Sequence, residues 1–406
     1  MISNIDKSEA IPMLFIPSVE QTAMKTLKKE YALYIHIPYC EKKCHFCSIP
    51  VTRFTDEMVL DRYVDALLYE LKYKEEFLKK NTLIGIHIGG GTPSVLSVLQ
   101  IKRLFDFITE MFGKELPEVV FEANPASLTK EKIDVLSQYY NVTLNLGVQT
   151  FNSQRLQEIN RMNDVEAIKE CLRYAMQKEN LHVGIDLIVG LPNSKIIDFD
   201  NDIKIVRELG IKNIFIYSYR LEEKSFFYNY FDKKKCFLQN DMIRKMEYAE
   251  ERIKNFGYIA KSIYYWSIEK DSLYRYTSHQ MNGGEWVGIG DGAYSYLEHS
   301  VMHNNFIGRN YQKYLNEIKQ NQIFAQNVTS QMIWDISLMV KKDVFDTKRI
   351  IQKLWKNLVE PYLRKLGKRL EENGYSQNRN NKVCLSVKGK VLLDDVDKII
   401  QEVVLN

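Results

Sequence analysis

Residues 34–50 read YIHIPYCEKKCHFCSIP, with Cys40, Cys44 and Cys47 inside eight positions and no fourth cysteine following. Three thiolates on one loop are a ligand set for zinc or for an iron–sulfur cluster. A structural zinc would need a fourth ligand, and His45 or His36 are the candidates at hand. Zinc sites usually pair two C-x-x-C knuckles far apart in sequence, whereas only one knuckle occurs here. A cluster held by three cysteines instead leaves one iron without a protein ligand. An open coordination position is the mark of a catalytic centre.

Other residues carry chemistry further along. Gly89, Gly90 and Gly91 end an apolar run without side chains, so backbone groups there can approach a ligand closely, and Thr92 adds a hydroxyl. Read alone, GGGTP is equally a tight turn. Glu122 and Gln149 fall near the ends of apolar runs, where polar groups need partners. Asp186 is embedded in GIDLIVG, and a buried carboxylate without a partner is costly, which favours a functional reading. Arg161 taken singly reads as a surface residue.

These residues need a scaffold. β-rich runs at 31–37, 84–91, 118–125, 142–150, 182–190 and 213–221 alternate with amphipathic helical stretches, such as 56–80 with Leu60, Val64, Leu67 and Leu71 on one face. Six such alternations predict βαβ units and parallel pairing, and ligand groups then gather at the C-terminal strand ends. Periodicity alone allows either a partial barrel or an open doubly wound sheet. After residue 222 the rhythm breaks into a helix, the aromatic run YIAKSIYYW, a glycine-rich segment and, from about 330, helices closed by a short hairpin and a last helix.

The chain has 406 residues, 45% of them hydrophobic, and a formal net charge of +4. That is room for a large core plus a smaller domain and too little charge to suggest nucleic acid. The other cysteines, at 171, 236 and 384, are scattered, which argues against a disulfide framework. No run approaches the ~20 apolar residues of a membrane span, and MLFIP near the start is too short for a secretory signal. The expectation is a cytoplasmic protein.

Taken together, these motifs resemble the radical S-adenosylmethionine (SAM) superfamily, and within it the oxygen-independent coproporphyrinogen III oxidases and heme chaperones. The resemblance rests on Cys40-x-x-x-Cys44-x-x-Cys47 within YIHIPYC, then GGGTPS (89–94), EANP (122–125), LGVQTF (146–151), Arg161, DLIVGLP (186–192), IYSYRLE (216–222) and GIGDGAYS (288–295), all in order. It implies a partial (β/α)6 TIM-type barrel with a smaller, mostly helical C-terminal domain. The implied division is an extension over 1–30, a core over 31–222, a barrel-completing segment over 223–325 and a substrate-capping domain over 326–406.

It also implies that Cys40, Cys44 and Cys47 hold three irons of a [4Fe–4S] cluster whose fourth iron is chelated by SAM. Reductive cleavage of SAM would then give a 5′-deoxyadenosyl radical that removes a hydrogen atom, chemistry that belongs to the cofactor. Tyr34, Phe46, Gly89, Gly90, Gly91, Thr92, Glu122, Gln149, Arg161, Asp186, Arg220 and Tyr294 are the implied SAM-site residues. Implied partners are a small-molecule substrate such as a tetrapyrrole or heme and an electron donor such as flavodoxin or ferredoxin.

The sequence departs from both subgroups. The oxidases place a further cysteine where Ile49 stands. The chaperones carry a His-Asn…Tyr-Trp element that YTSHQMNGGEW (276–286) lacks. Thr143 replaces a family Arg, and Asn163 replaces the His after Arg161. YTS at 276–278 looks like the oxidase branch and its relatives that use a second SAM for methyl or methylene transfer. Two expectations therefore stand side by side: a radical SAM oxidoreductase or methyltransferase, and a heme-binding chaperone.

Overall fold

β-branched and apolar runs form strands and amphipathic runs form helices from the first described residue. The computed structural model describes residues 30–53, 56–161, 163–230, 238–269, 274–297, 300–303, 323–324, 328–342, 360–379 and 382–405. The expected extension over 1–30 lies outside these residues except for Glu30, as does Cys236.

The described residues begin with β1 (Glu30–Ile37), the short pair β2 (Tyr39–Cys40) and β3 (Thr52–Arg53), α1 (Glu57–Tyr73), α2 (Glu75–Lys80) and β4 (Thr82–Gly90). It continues with α3 (Val98–Phe112), β5 (Val119–Ala123), α4 (Lys130–Leu136), β6 (Val142–Gln149), α5 (Ser153–Glu158), α6 (Val165–Met176), β7 (Leu181–Val189), α7 (Ile196–Leu209) and β8 (Asn213–Ser218). All six expected strands are present. The helices start where side chains satisfy free N–H groups: Asp56 accepts from Met58 N at 3.0 Å, and Ser97 and Gln100 form a capping box at α3.

Strands β1, β4, β5, β6, β7 and β8 pair in that order, each parallel to the next. One parity of each strand packs under the crossover helices. Leu33, Ile35, Ile86, Ile88, Phe121, Leu144, Leu146, Ile185 and Ile214 share a single core with Leu60, Val64, Leu67, Leu104, Ile133, Leu172 and Ile203 of those helices. The crossover helices thus cover one face, which selects barrel-type winding over a doubly wound sheet. The opposite parity (Tyr34, His36, His87, Glu122, Asn145, Asp186 and Tyr217) faces the concave side.

Past β8 come α8 (Phe226–Tyr230), α9 (Gln239–Asn255), β9 (Ile259–Ala260), β10 (Tyr265–Ser267), α10 (Arg275–Met281), β11 (Glu285–Ile289), β12 (Tyr294–Leu297), β13 (Ser300–His303) and β14 (Ile323–Phe324). Here the sheet grows beyond six strands. β11 joins β1 in parallel, with Tyr34 opposite Gly288. Antiparallel strands extend both flanks, giving twelve strands in all among the described residues. β11 is short and pairs with the distant β1, Glu285 against Tyr31, so no local pattern announces it.

α10 closes the end of the barrel away from the strand C-termini. The N–H groups at its start, on Tyr274 and Arg275, donate to the buried Glu118 carboxylate at 2.9 and 2.6 Å. Tyr274 reaches across to Asn145 Oδ1 at 2.9 Å, and any side chain at Gly184 would collide with its hydroxyl.

The chain ends with α11 (Val328–Met339), α12 (Glu360–Glu372), the hairpin β15 (Ser376–Arg379) and β16 (Lys382–Leu385), α13 (Val387–Val391) and α14 (Leu393–Leu405). Ile336, Leu366, Leu370, Val383, Val396 and Ile400 form a second core. It docks on the barrel through Ile263 N–H to Lys341 O at 3.1 Å and a buried Lys390–Glu250 ion pair at 2.9 Å. No described helix is long and apolar enough to cross a membrane.

Candidate cluster and nucleotide site

The cysteine loop leaves the C-terminal end of β1. Its two ends are pinned by the parallel β2–β3 pair, which sets Cys40 opposite Arg53, and by Thr52 N–H to Pro38 O at 2.7 Å. Inside it, Cys47 N–H donates to Cys44 O at 3.1 Å. The segment after α5 holds it from outside: His45 N–H donates to Ile159 O at 3.1 Å and Asn160 Nδ2 to Lys43 O at 2.9 Å. All three thiols are partly buried.

Two of the thiols have a polar side chain beside them. Cys40 Sγ lies 3.2 Å from Thr92 Oγ1, and Arg161 Nε donates to Cys44 Sγ at 3.4 Å. Burial pushes the Cys40 thiol up to about 11, opposed by the Thr92 bond and raised further by Cys47 and Cys44. Burial likewise raises Cys47, with Ile49 N–H and Lys43 pulling the other way. The thiols therefore sense one another, and loading a metal must release protons.

Three thiols on one loop are the donors the site offers. The two histidines expected as a fourth zinc ligand each bond through Nδ1: His45 to Glu158 O at 2.8 Å and His36 to the Tyr34 hydroxyl at 2.8 Å. A thiol-only set at this spacing is what an iron–sulfur cluster takes.

Beside the loop, the β4 glycines form a bare ledge. Gly91 N–H donates to Ile37 O and Thr92 N–H to Tyr39 O, both at 2.8 Å. A Cβ on Gly91 would lie 2.6 Å from Tyr39 O, and one on Gly89 2.8 Å from the Glu122 carboxylate. Glu122 Oε1 bonds His87 Nε2 at 2.8 Å, and its Oε2 accepts Gly90 N–H at 3.3 Å. Burial acts to raise Glu122, but the His87 bond and its neighbours outweigh it and leave the carboxyl below its ordinary range.

Across the concave face, Asn145 Nδ2 donates to Asp186 Oδ1 at 2.9 Å. Burial raises Asp186 to about 7, opposed by the Asn145 bond. Register explains the grouping: Glu122 pairs with Asn145 and Gly147 with Asp186, so the polar groups step from strand to strand. Arg161 completes the group by donating from Nη1 to Gly147 O and to Asn124 Oδ1 at 3.4 Å. Gln149 sits at a bulge with φ 71°, and its Nε2 folds over Gly147.

The Radical SAM superfamily model matches residues 34–206. "Heme chaperone HemW" of Bacillus subtilis (strain 168) is 27% identical over 372 residues, covering 89% of this chain and 97% of that protein. The HemW of Lactococcus lactis subsp. lactis (strain IL1403) is 31% identical over 288 residues, 67% of this chain and 71% of that one. The chain belongs to the radical SAM superfamily, in its coproporphyrinogen-oxidase and heme-chaperone group. The oxygen-independent coproporphyrinogen III oxidase of Escherichia coli (strain K12) is 30% identical over 200 residues, 49% of this chain and 44% of the enzyme. The solved coproporphyrinogen III oxidase (HemN) from Escherichia coli has the same fold: TM-score 0.78 at 21% identity, over 96% of this chain and 94% of that one.

As a radical SAM protein, the chain brings most of its expected site residues to one end of the barrel. Cys40 meets Thr92, Cys44 meets Arg161, and Gly90 meets Glu122. Tyr34 lines the same face, its ring 5.8 Å from His87, while Phe46 is partly buried against the main core. The two remaining residues make other contacts. Arg220 forms an ion pair with Asp394 on α14 and lies 3.7 Å from Glu222. Tyr294 begins β12 with 44% of its surface exposed.

The GIGDGAYS turn is fastened to α1: Gly290 N–H donates to Glu70 Oε2 at 2.8 Å and Asp291 N–H to Tyr63 Oη at 3.0 Å. The residues missed from sequence are His87 and Asn145, together with the Tyr276 ring 5.1 Å from His87. His36, considered there only as a zinc ligand, belongs to the same face. The strand residues carried a signal: each is a polar side chain at alternate positions of an apolar run, in the same parity as Tyr34 and Glu122.

Proposed function

We propose that this chain binds a [4Fe–4S] cluster through Cys40, Cys44 and Cys47 and holds SAM on the Gly89–Thr92 ledge, within reach of Glu122, Gln149, Arg161 and Asp186. When bound, cluster and SAM together supply reductive cleavage to a 5′-deoxyadenosyl radical, which abstracts hydrogen from a substrate. The observation that carries the reading is the single guanidinium of Arg161, which touches a candidate cluster thiol and the ends of the strands that bear the polar groups.

The chain's own part is positioning and exclusion of water. Arg161 offers a fixed cation for a carboxylate. Glu122, held by His87, and Asp186, held by Asn145, offer acceptors for ribose hydroxyls or a counter-charge for a sulfonium. The concave face beyond them carries the partly buried rings of Tyr217 and Tyr264, 5.1 Å apart. Such a wall suits a sizeable conjugated substrate, a tetrapyrrole among them, and a second SAM serving methyl or methylene transfer belongs to the same reading. Anaerobic reconstitution, dithionite reduction and chromatography test it. 5′-Deoxyadenosine is expected, with S-adenosylhomocysteine if a methyl group moves; a cluster-loaded protein yielding neither would refute the reading.

A heme chaperone is the second reading, favoured by the HemW relatives; the one from Bacillus subtilis aligns over 97% of its own length. Heme titration followed by absorbance separates the two: tight heme binding without SAM turnover selects the chaperone.

A further inference from the structure

Asp186 is the last link of a hydrogen-bonded chain that begins at the closed end of the barrel. Glu118, 2% exposed, accepts from Thr143 Oγ1 at 2.8 Å and from the N–H groups of Tyr274 and Arg275 at 2.9 and 2.6 Å. Thr143 stands where the family has an arginine, and its short hydroxyl leaves room for the start of α10 at the carboxylate. The Tyr274 hydroxyl donates to Asn145 Oδ1 at 2.9 Å, and Asn145 Nδ2 donates to Asp186 Oδ1 at 2.9 Å.

Tyr274 is fixed from several sides. Its backbone is left-handed, at φ 62° and ψ 50°, a conformation that residues with side chains rarely adopt and that persists where the surroundings over-determine it. Those surroundings are Glu118 on its N–H and the rings of Phe215 and Tyr265 against its own, at 4.6 and 4.8 Å. Its hydroxyl occupies the space that a side chain at Gly184 would fill, two residues before Asp186 on β7. Asn145 and Tyr274 are both buried, so bulk water does not stand in for either bond. With Oδ1 taken by the hydroxyl, the amide turns its donor, Nδ2, toward the carboxylate.

We propose that Tyr274 is a positioning residue for Asp186, acting through Asn145 to fix the carboxylate in the orientation that meets the nucleotide. The inference rests on the nucleotide-site reading above. Glu122, Arg161 and His87 also act on Asp186 through their charges, and all three stay in place when the Tyr274 hydroxyl alone is removed. A residue at the closed end of the barrel thereby sets ligand affinity at the open end.

The test uses the full chain, reconstituted anaerobically, with SAM as the probe in equilibrium dialysis. Tyr274→Phe keeps the ring and removes only the hydroxyl. SAM affinity should fall about three- to tenfold, the scale of one hydrogen bond, with iron content unchanged. In an Asp186→Ala background the same change should cost nothing further, because it acts through that carboxylate. A second readout needs no SAM: the Asp186 carboxyl is titrated by carbon-13 NMR of aspartate-labelled protein, with Asp186→Ala assigning the resonance. Burial raises this carboxyl and the Asn145 bond opposes it, so its midpoint should climb by about half to one pH unit in Tyr274→Phe. A purely structural role for the hydroxyl would lower thermal stability and leave the midpoint where it is. Asn145→Leu, which lacks the amide, should reproduce both changes and serves if Tyr274→Phe does not fold. Losses that multiply in the double variant, or an unmoved midpoint, would overturn the proposal. If Asp186→Ala binds SAM as the wild type does, the nucleotide-site reading fails at Asp186, and the titration still decides whether Tyr274 orients the carboxylate.

Discussion

Arg161 and Cys44 are 117 residues apart in sequence, yet the guanidinium donates to the sulfur at 3.4 Å and also reaches the carbonyl of Gly147. One side chain thus spans the cysteine loop and the end of β6. The contact makes Arg161 a bridge between a candidate cluster thiol and the strand end that carries Gly147.

Arg161→Ala should therefore weaken SAM binding by about 10- to 100-fold, the range for losing a charge-assisted hydrogen bond, with iron content nearly unchanged. Arg161→Lys should rescue little, because a point charge cannot serve the sulfur and the carbonyl together. Equilibrium dialysis with SAM beside an iron assay checks both variants.

The cysteines and Asp186 should separate cleanly. Cys44→Ala should abolish the brown colour of the reconstituted protein, whereas Asp186→Asn should keep it and bind SAM more weakly. Intact iron and sulfide in the cysteine variant would show the ligand assignment to be wrong.

Gly89→Ala tests the ledge. The added methyl would sit 2.8 Å from the Glu122 carboxylate and 2.9 Å from His87 Nε2, so this pair must shift. SAM affinity should fall while thermal stability changes by about 1–3 kcal/mol at most, as for other overpacking substitutions. Unaltered affinity would place the ligand elsewhere.

Two carboxyls give stability a pH dependence. Burial raises Asp186 and Asp202 from 3.8 to about 7; Asn145 opposes it at the first, and Phe151 N–H and Thr150 at the second. Between these values the folded chain binds more protons than the unfolded one, so stability falls as pH climbs from about 4 to about 7. The slope is bounded at about 1.4 kcal/mol per pH unit for each group. Asp202, 3% exposed, should carry more of it than Asp186, which borders the barrel interior. Urea unfolding between about pH 5 and pH 7.5 checks the sign, and Asp202→Asn should flatten the curve.

Arg220 distinguishes a cofactor contact from a domain contact. Its pairing with Asp394 predicts that Arg220→Ala and Asp394→Ala couple by roughly 0.5–1 kcal/mol in a double-mutant cycle, because Asp394 is largely exposed. Equal SAM affinity in wild type and Arg220→Ala would confine Arg220 to the domain contact.

Much of this was legible in the sequence, and for identifiable reasons. The six parallel strands followed from local alternation of apolar runs, and the cysteine loop from spacing. Gly89–Gly91, Glu122 and Asp186 stood out because they interrupt apolar strands. What the sequence withheld depends on pairing between distant segments: β11 against β1, the antiparallel flanks, and α10 capping the barrel through Glu118. His87 and Asn145 were overlooked because strand parity becomes meaningful only once one knows which face the helices cover. Arg220 shows the converse, since its partner Asp394 belongs to the last helix of the chain.

The most direct test of the whole account is electron paramagnetic resonance of the anaerobically reconstituted, dithionite-reduced protein, recorded before and after SAM is added. A reduced four-iron signal that shifts with SAM, and is lost in Cys40→Ala, is the predicted result. A colourless protein with one zinc per chain and no such signal would contradict it.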